Sequence, residues 1–237
     1  MPPALRDVKA LVFDVFGTLV DWHGGIAREA RAALMPLGWQ ADWGRFADDW
    51  RAQYQPAMEE VRAGRIPFSK LDVLHRRNLD VVLRQRAWAV PEDVRVSLNQ
   101  AWHRLDAWPD VAPGLVRLRQ RFLLAPCSNG HIALMVALAR RNGLVWDAIT
   151  GAELARDYKP KASVYQAAAS AFDLAPAQVL MVAAHSSDLA AAADAGLRTA
   201  FIVRPDEHGP GRGERQAVCA VDLSADGLLD LAQQLGC

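Results

Sequence analysis

From residue 110 onward, short apolar runs alternate with helical stretches, and this rhythm restricts the chain more than any other feature. Runs 122–125, 179–183 and 199–203 are apolar with little alternation, as expected of strands covered on both faces. Stretches 113–120, 132–141 and 162–172 have helical spacing, and one more short run, 148–150, lies between the last two. Strand and helix in turn predict an α/β fold built on a doubly wound parallel sheet.

The first apolar run, 11–13, stands apart, because only helical periodicity follows it up to Trp108. Ile26, Ala30, Ala33, Leu34 and Leu37 recur on one face, and Trp50, Tyr54, Met58 and Val61 on another. The simplest arrangement is a helical cap inserted after the first strand, with a core of 1–21 and 106–237 and a cap of 22–105. The turn-rich stretch RPDEHGPGRGE, 204–214, reads as an exposed loop.

With 237 residues, 51% of them apolar, the chain can bury a core of this size. Its 27 basic residues balance 27 acidic ones, so no overall field favours nucleic acid or an anionic membrane, and neither is expected as a partner. Cys127, Cys219 and Cys237 are odd in number and widely spaced, which suits free thiols in a reducing compartment. No secretion signal opens the chain and no apolar run reaches the ~18 residues of a membrane span. A cytoplasmic protein is expected.

In an open sheet of this kind, ligands bind beyond the carboxyl ends of the strands. Asp14 and Thr18 follow the first strand, Ser128 and Asn129 the second, Lys159 the third, and His185 and Asp188 the fourth. One nucleophile, small hydrogen-bonding groups, a cation and a second carboxylate thus converge on one crevice. Phe16, two places after Asp14, cannot move a proton. Trp22, Trp43, Trp50 and Trp108 are candidates for an apolar wall.

Through FDVFGTLVDW, WRAQYQPAM, SNG, YKPKASVY and AAHSSDLAAAADAGLRTAFI, the chain resembles the haloacid dehalogenase superfamily, and within it the type II 2-haloacid dehalogenases. The resemblance implies a Rossmann-like core with a helical cap, and hydrolysis of a small anionic 2-haloacid without metal or organic cofactor. Asp14 would displace halide from C2, forming an ester that water then cleaves at the aspartyl carbonyl. Superfamily phosphatases carry a second Asp at the place of Phe16 and paired acids near Asp188. Halide needs neither, since it leaves unprotonated.

By the same resemblance, Thr18 orients Asp14, Ser128 and Asn129 bind the substrate carboxylate, and Lys159 rather than Lys161 lies beside Asp14. Asp188 positions Lys159 and water, Tyr165 and Phe16 lie near the substrate, and Arg51 receives the halide. The chain departs from the type II pattern at Ala183, His185 and Ser187, where Ser, Asn and an aromatic are usual. His185 is therefore expected to line the pocket and, with Arg51 and a cap tryptophan N–H, to cradle a leaving fluoride. Relatives are often dimers, so a homodimer is expected. The competing readings are a phosphatase-like hydrolase of the same superfamily and a non-catalytic ligand-binding relative.

Overall fold

The computed structural model describes residues 3–237; Met1 and Pro2 of the expected core segment lie outside the described residues. The first strand, β1 (Ala10–Phe13), is buried throughout. Because successive side chains leave opposite faces of a strand, Leu11 and Phe13 join one apolar layer while Ala10 and Val12 join the other.

Five helices follow, as expected of the cap: α1 (Trp22–Leu34), α2 (Trp43–Ala52), α3 (Tyr54–Arg62), α4 (Leu71–Gln85) and α5 (Glu92–Asn99). Asp21 and Asp42 start the first two by accepting from Gly24 N at 2.8 Å and Arg45 N at 3.0 Å, which satisfies amides the helix leaves unpaired. Ile26, Ala30 and Leu34 face the interior, but Leu37 falls in a 3-10 turn after α1 and is exposed. Trp50, Tyr54, Met58 and Val61 are all buried, although the expected single helix breaks at Gln53. Pro56 explains the break: without an N–H it fits only the first turn of a new helix.

The core resumes with α6 (Val111–Leu118), β2 (Leu123–Ser128), α7 (Ile132–Asn142), β3 (Thr150–Gly151), α8 (Ala152–Ala155) and α9 (Ala162–Ser170). It ends with β4 (Val179–Ala183), α10 (Ser186–Asp194), β5 (Arg198–Ile202), β6 (Leu223–Ala225) and α11 (Leu228–Leu235). All pairings are parallel and the order is β3-β2-β1-β4-β5-β6. The strand order reverses at β1, whose carboxyl end is therefore where a crevice opens. Strand β6 was not expected, since three residues are too few to show a period.

The two chain crossings between core and cap run side by side. Asp21 N donates to Asp106 O at 2.9 Å, Trp108 N donates to Leu19 O at 3.0 Å, and Val20 bridges to Ala107.

Residues 204–214 are not simply an exposed loop. Arg204 and Glu207 are buried; Arg204 Nε donates to Thr18 O at 2.8 Å, and its Nη atoms each donate to Asp110 at 2.9 Å. Gly and Pro mark where a chain turns and leave open where its charged side chains go. Glu207 reaches inward past Gly17, which has φ +90°; a Cβ there would stand 2.1 Å from Glu207 Oε1. Gly17 is thus required twice, by its backbone and by this approach.

Candidate active site

Asp14 leaves β1 at its carboxyl end with 7% of its surface exposed. Its Oδ2 accepts from Thr18 Oγ1 at 2.7 Å and lies 3.1 Å from His185 Nδ1, while Oδ1 accepts from Lys159 Nζ at 2.9 Å. Thr18 is held in turn, its hydroxyl accepting from Ala184 N at 2.9 Å. Burial alone would raise the Asp14 pKa, but Lys159 and His185 outweigh it and hold the carboxyl far below its usual range. The group is ionised at any working pH.

Lys159 arrives from the turn between α8 and α9. Its backbone N donates to Asn129 Oδ1 at 2.9 Å, its carbonyl accepts from Arg62 of the cap at 2.9 Å, and its Nζ donates to Asp188 as well as Asp14. Asp188 stands in the first turn of α10, where a helix favours negative charge, and accepts from the Tyr165 hydroxyl at 2.6 Å. Burial tends to strip the ammonium of its proton, yet Asp14 and Asp188 raise its pKa well above the usual value.

A cavity of about 600 Å³ opens above these groups, lined by Asp14, Phe16, Arg51, Tyr54, Asn129, Lys159, Tyr165, His185, Ser187 and Asp188 among others. Arg51 comes from the cap, with its guanidinium carbon 3.9 Å from the Tyr54 ring centre and 5.2 Å from that of Trp22. Its Nη1 is buried with no hydrogen-bond partner in the protein, so a residue of the cavity wall keeps an unused donor. Such a donor is costly to bury unless a ligand completes it.

Nearly every residue singled out from sequence meets here, with three corrections. Ser128 lies at the end of β2 but is fully buried; its hydroxyl accepts from Gly130 N at 3.0 Å, and the cavity wall carries Asn129 instead. None of the four tryptophans lines the cavity, where Phe16, Tyr54 and Tyr165 supply the aromatic wall. In the expected fluoride cradle His185 has no donor to spare. His185 is surrounded by carboxylates at both ring nitrogens, Nε2 lying 2.8 and 2.9 Å from the Glu207 oxygens. Trp22 Nε1 donates to Glu207 and Trp50 Nε1 to His75 O, each at 3.0 Å. Arg51 Nη1 and the N–H of a third cap tryptophan, Trp102, whose ring packs edge-on against Phe16 at 5.8 Å, are both buried with no partner in the protein.

Glu207 was missed, since nothing in its local sequence distinguishes it from loop acids at the surface; Gly17 was the one trace of it. Tyr54 was inside a quoted motif and was counted only as core.

Among the described residues, the ligand atoms of Asp14, His185 and Asp188 lie within 4.8 Å of one another, which is close enough to share a cation. The Lys159 ammonium already bonds both carboxylates, and Phe16 offers no side-chain oxygen. A hard ion such as Mg²⁺, which wants near-octahedral oxygen donors, does not fit this set.

An ionised carboxylate at the end of the first strand of such a sheet, beneath an inserted helical cap, marks a hydrolase with an aspartate at its centre. The family model described as haloacid dehalogenase-like hydrolase matches residues 8–196, and the chain belongs to that family. The crystal structure of the defluorinating L-2-haloacid dehalogenase Rha0230 is similar at 40% identity, covering 100% of this chain and 98% of that one, with a TM-score of 0.95. The L-2-haloacid dehalogenase PA0810 is similar at 43% identity over 96% and 98% of the two chains, with a TM-score of 0.92. (S)-2-Haloacid dehalogenase 1 of Pseudomonas sp. (strain CBS-3) is 26% identical over 215 residues, 83% of this chain and 85% of its own.

Proposed function

We propose that the protein hydrolyses small 2-haloalkanoic acids to 2-hydroxy acids through an ester on Asp14. One observation carries this reading: Asp14 is an ionised carboxylate on the cavity wall, fixed by Lys159 and Thr18, with apolar Phe16 where an alcohol-releasing enzyme would need a second acid. A lone carboxylate suffices when the leaving group departs without a proton. The names of the relatives above support the same substrate class.

In this reading Oδ1 attacks C2, since Oδ2 is held by two donors. Asn129 and its loop bind the substrate carboxylate and Lys159 keeps Asp14 ionised. Arg51 Nη1 receives the halide as it leaves with the bonding pair. Water then adds to the Asp14 carbonyl carbon and gives its proton to Asp188.

The division into a core of 1–21 and 106–237 and a cap of 22–105 is part of the proposal, supported by the adjacent crossings at Asp21 and Asp106. Cytoplasmic residence is supported by three free thiols, and a homodimer by exposed Met35, Leu37, Val73 and Val96 on the cap. Among the described residues no helix is long and apolar enough to cross a membrane.

The test is halide release from a panel of chloro-, bromo- and fluoro-2-alkanoic acids, with phosphate esters alongside, in the presence of a chelator. Release from the haloacids is expected to persist under chelation. Turnover of phosphate esters alone, restored by Mg²⁺, would replace this reading with the phosphatase one.

A further inference from the structure

We propose that His185 is a catalytic residue for cleavage of the ester, donating to the oxyanion that forms on Asp14 Oδ2, and that Glu207 is the residue that positions it. The proposal rests on the Asp14 reading above. Three observations carry it. His185 Nδ1 faces Asp14 Oδ2 at 3.1 Å, beside the Thr18 hydroxyl on the same oxygen. His185 Nε2 faces both oxygens of Glu207 at 2.8 and 2.9 Å. Glu207 is 1% exposed, accepts from Trp22 Nε1 at 3.0 Å, and fills the space left by the missing side chain of Gly17.

A neutral imidazole can donate from only one nitrogen. With a carboxylate at each nitrogen, the ring satisfies both only as an imidazolium. Burial works against that charge, but the two carboxylates win and push its pKa up to about 10. The other charged groups near the ring are Lys159 and Arg51, which oppose the extra proton, Asp188, which favours it, and His208, which burial keeps neutral. Glu214 reaches only the start of α10, at Ser186.

The two half-reactions ask different things of this donor. In the first, Oδ1 bonds to C2, halide leaves with the electron pair, and Asp14 loses its negative charge; a cation on Oδ2 favours the starting state. In the second, water adds to the carbonyl carbon, its proton passes to Asp188, and the carbonyl electron pair moves onto Oδ2. Negative charge now grows where His185 and Thr18 point. Collapse breaks the bond from that carbon to Oδ1, the departing alkoxide takes the proton back from Asp188, and Asp14 releases its remaining proton to solvent. Only interactions stronger in the transition state than before it speed a step, so His185 accelerates ester cleavage and not ester formation.

The experiment is rapid-quench kinetics on His185→Gln and Glu207→Gln with excess 2-chloropropionate. Each is expected to release about one equivalent of chloride per site in a burst, then to turn over about 10²- to 10³-fold more slowly than the parent, with KM falling alongside kcat. Mass spectrometry of the peptide containing Asp14 should show the accumulated ester. In Glu207→Gln the alkaline limb of kcat should move to lower pH, and Glu207→Asp should recover part of the rate. His185→Asn, which keeps a neutral donor there, guards against misfolding and should lie between Gln and parent. Loss of kcat without burst or trapped ester in all variants would overturn the proposal. A parent enzyme that never forms the ester would overturn both this and the Asp14 reading, which separates the two failures.

Discussion

Two partly buried triads of acid and histidine lie among the described residues, built with opposite stoichiometry. In the site, one imidazole, His185, stands between two carboxylates, Asp14 and Glu207. At the seam of cap and core, one carboxylate, Asp72 of α4, stands between two imidazoles: His103 Nε2 at 2.9 Å and His131 Nε2 at 3.4 Å. The two arrangements hold charge on different members. Two acids keep His185 protonated up to about pH 10. At the seam burial alone would raise the Asp72 pKa, but two histidines outweigh it and hold the carboxyl well below its usual range. The first arrangement keeps a cation beside the group that reacts, and the second ties α4 of the cap to the loop after β2.

The strongest way to break this comparison is to remove the acid the site triad shares with the chemistry. Asp14→Asn should stay folded and lose about 10⁴-fold or more in kcat, measured by halide release, since an amide cannot serve as the nucleophile. His185 loses a carboxylate in the same variant, so its titration, followed by NMR, should move down toward the ordinary value.

Arg51→Lys is the next largest effect and lies outside both triads. The halide gains its charge only as the bond breaks, so the arginine interaction grows toward the transition state. Lysine keeps the charge but loses the planar donor array, and kcat should fall roughly 10²-fold with KM little changed. An unchanged kcat would show that the free Nη1 is not the halide donor.

These effects also mark what the sequence made legible. Four strand ends, each followed by a polar residue, were enough to assemble Asp14, Asn129, Lys159 and Asp188, because a parallel sheet puts every carboxyl end on one side. The period of α1 and the burial of Trp50, Tyr54, Met58 and Val61 were readable for the same kind of reason. Glu207 was not, since its place depends on a long-range fit against Gly17 and Trp22 that no local pattern encodes. Nor was Ser128's inward turn, which follows from a hydroxyl accepting from Gly130 N two residues on. The commitment of His185 was hidden for the same reason, because that fit places Glu207 against its Nε2.

The smallest effect belongs to the seam. Asp72→Asn should leave kcat within about twofold and cost about 1–3 kcal/mol of stability near neutrality, as buried partners lose an ionised acceptor. The sign of its pH dependence sharpens the contrast. Because the Asp72 pKa is lowered in the fold, its contribution is complete above the ordinary value of 3.8 and is lost as pH falls below it. Because that of His185 is raised, its contribution is complete below 6.5 and is lost as pH rises toward about 10. Thermal melts should therefore show Asp72→Asn removing part of the acid-side loss, and Glu207→Gln part of the alkaline-side loss. Identical pH profiles for the two variants would mean that the triads do not divide the charge in this way.

The central claim, that Asp14 carries the substrate as an ester, is tested most directly by a single turnover with excess enzyme in ¹⁸O-water. Water attacks the Asp14 carbonyl in this account, so label should appear in the Asp14 carboxylate while the first product carries the enzyme's own unlabelled oxygen. Label found in the product and absent from Asp14 after that one turnover would contradict it.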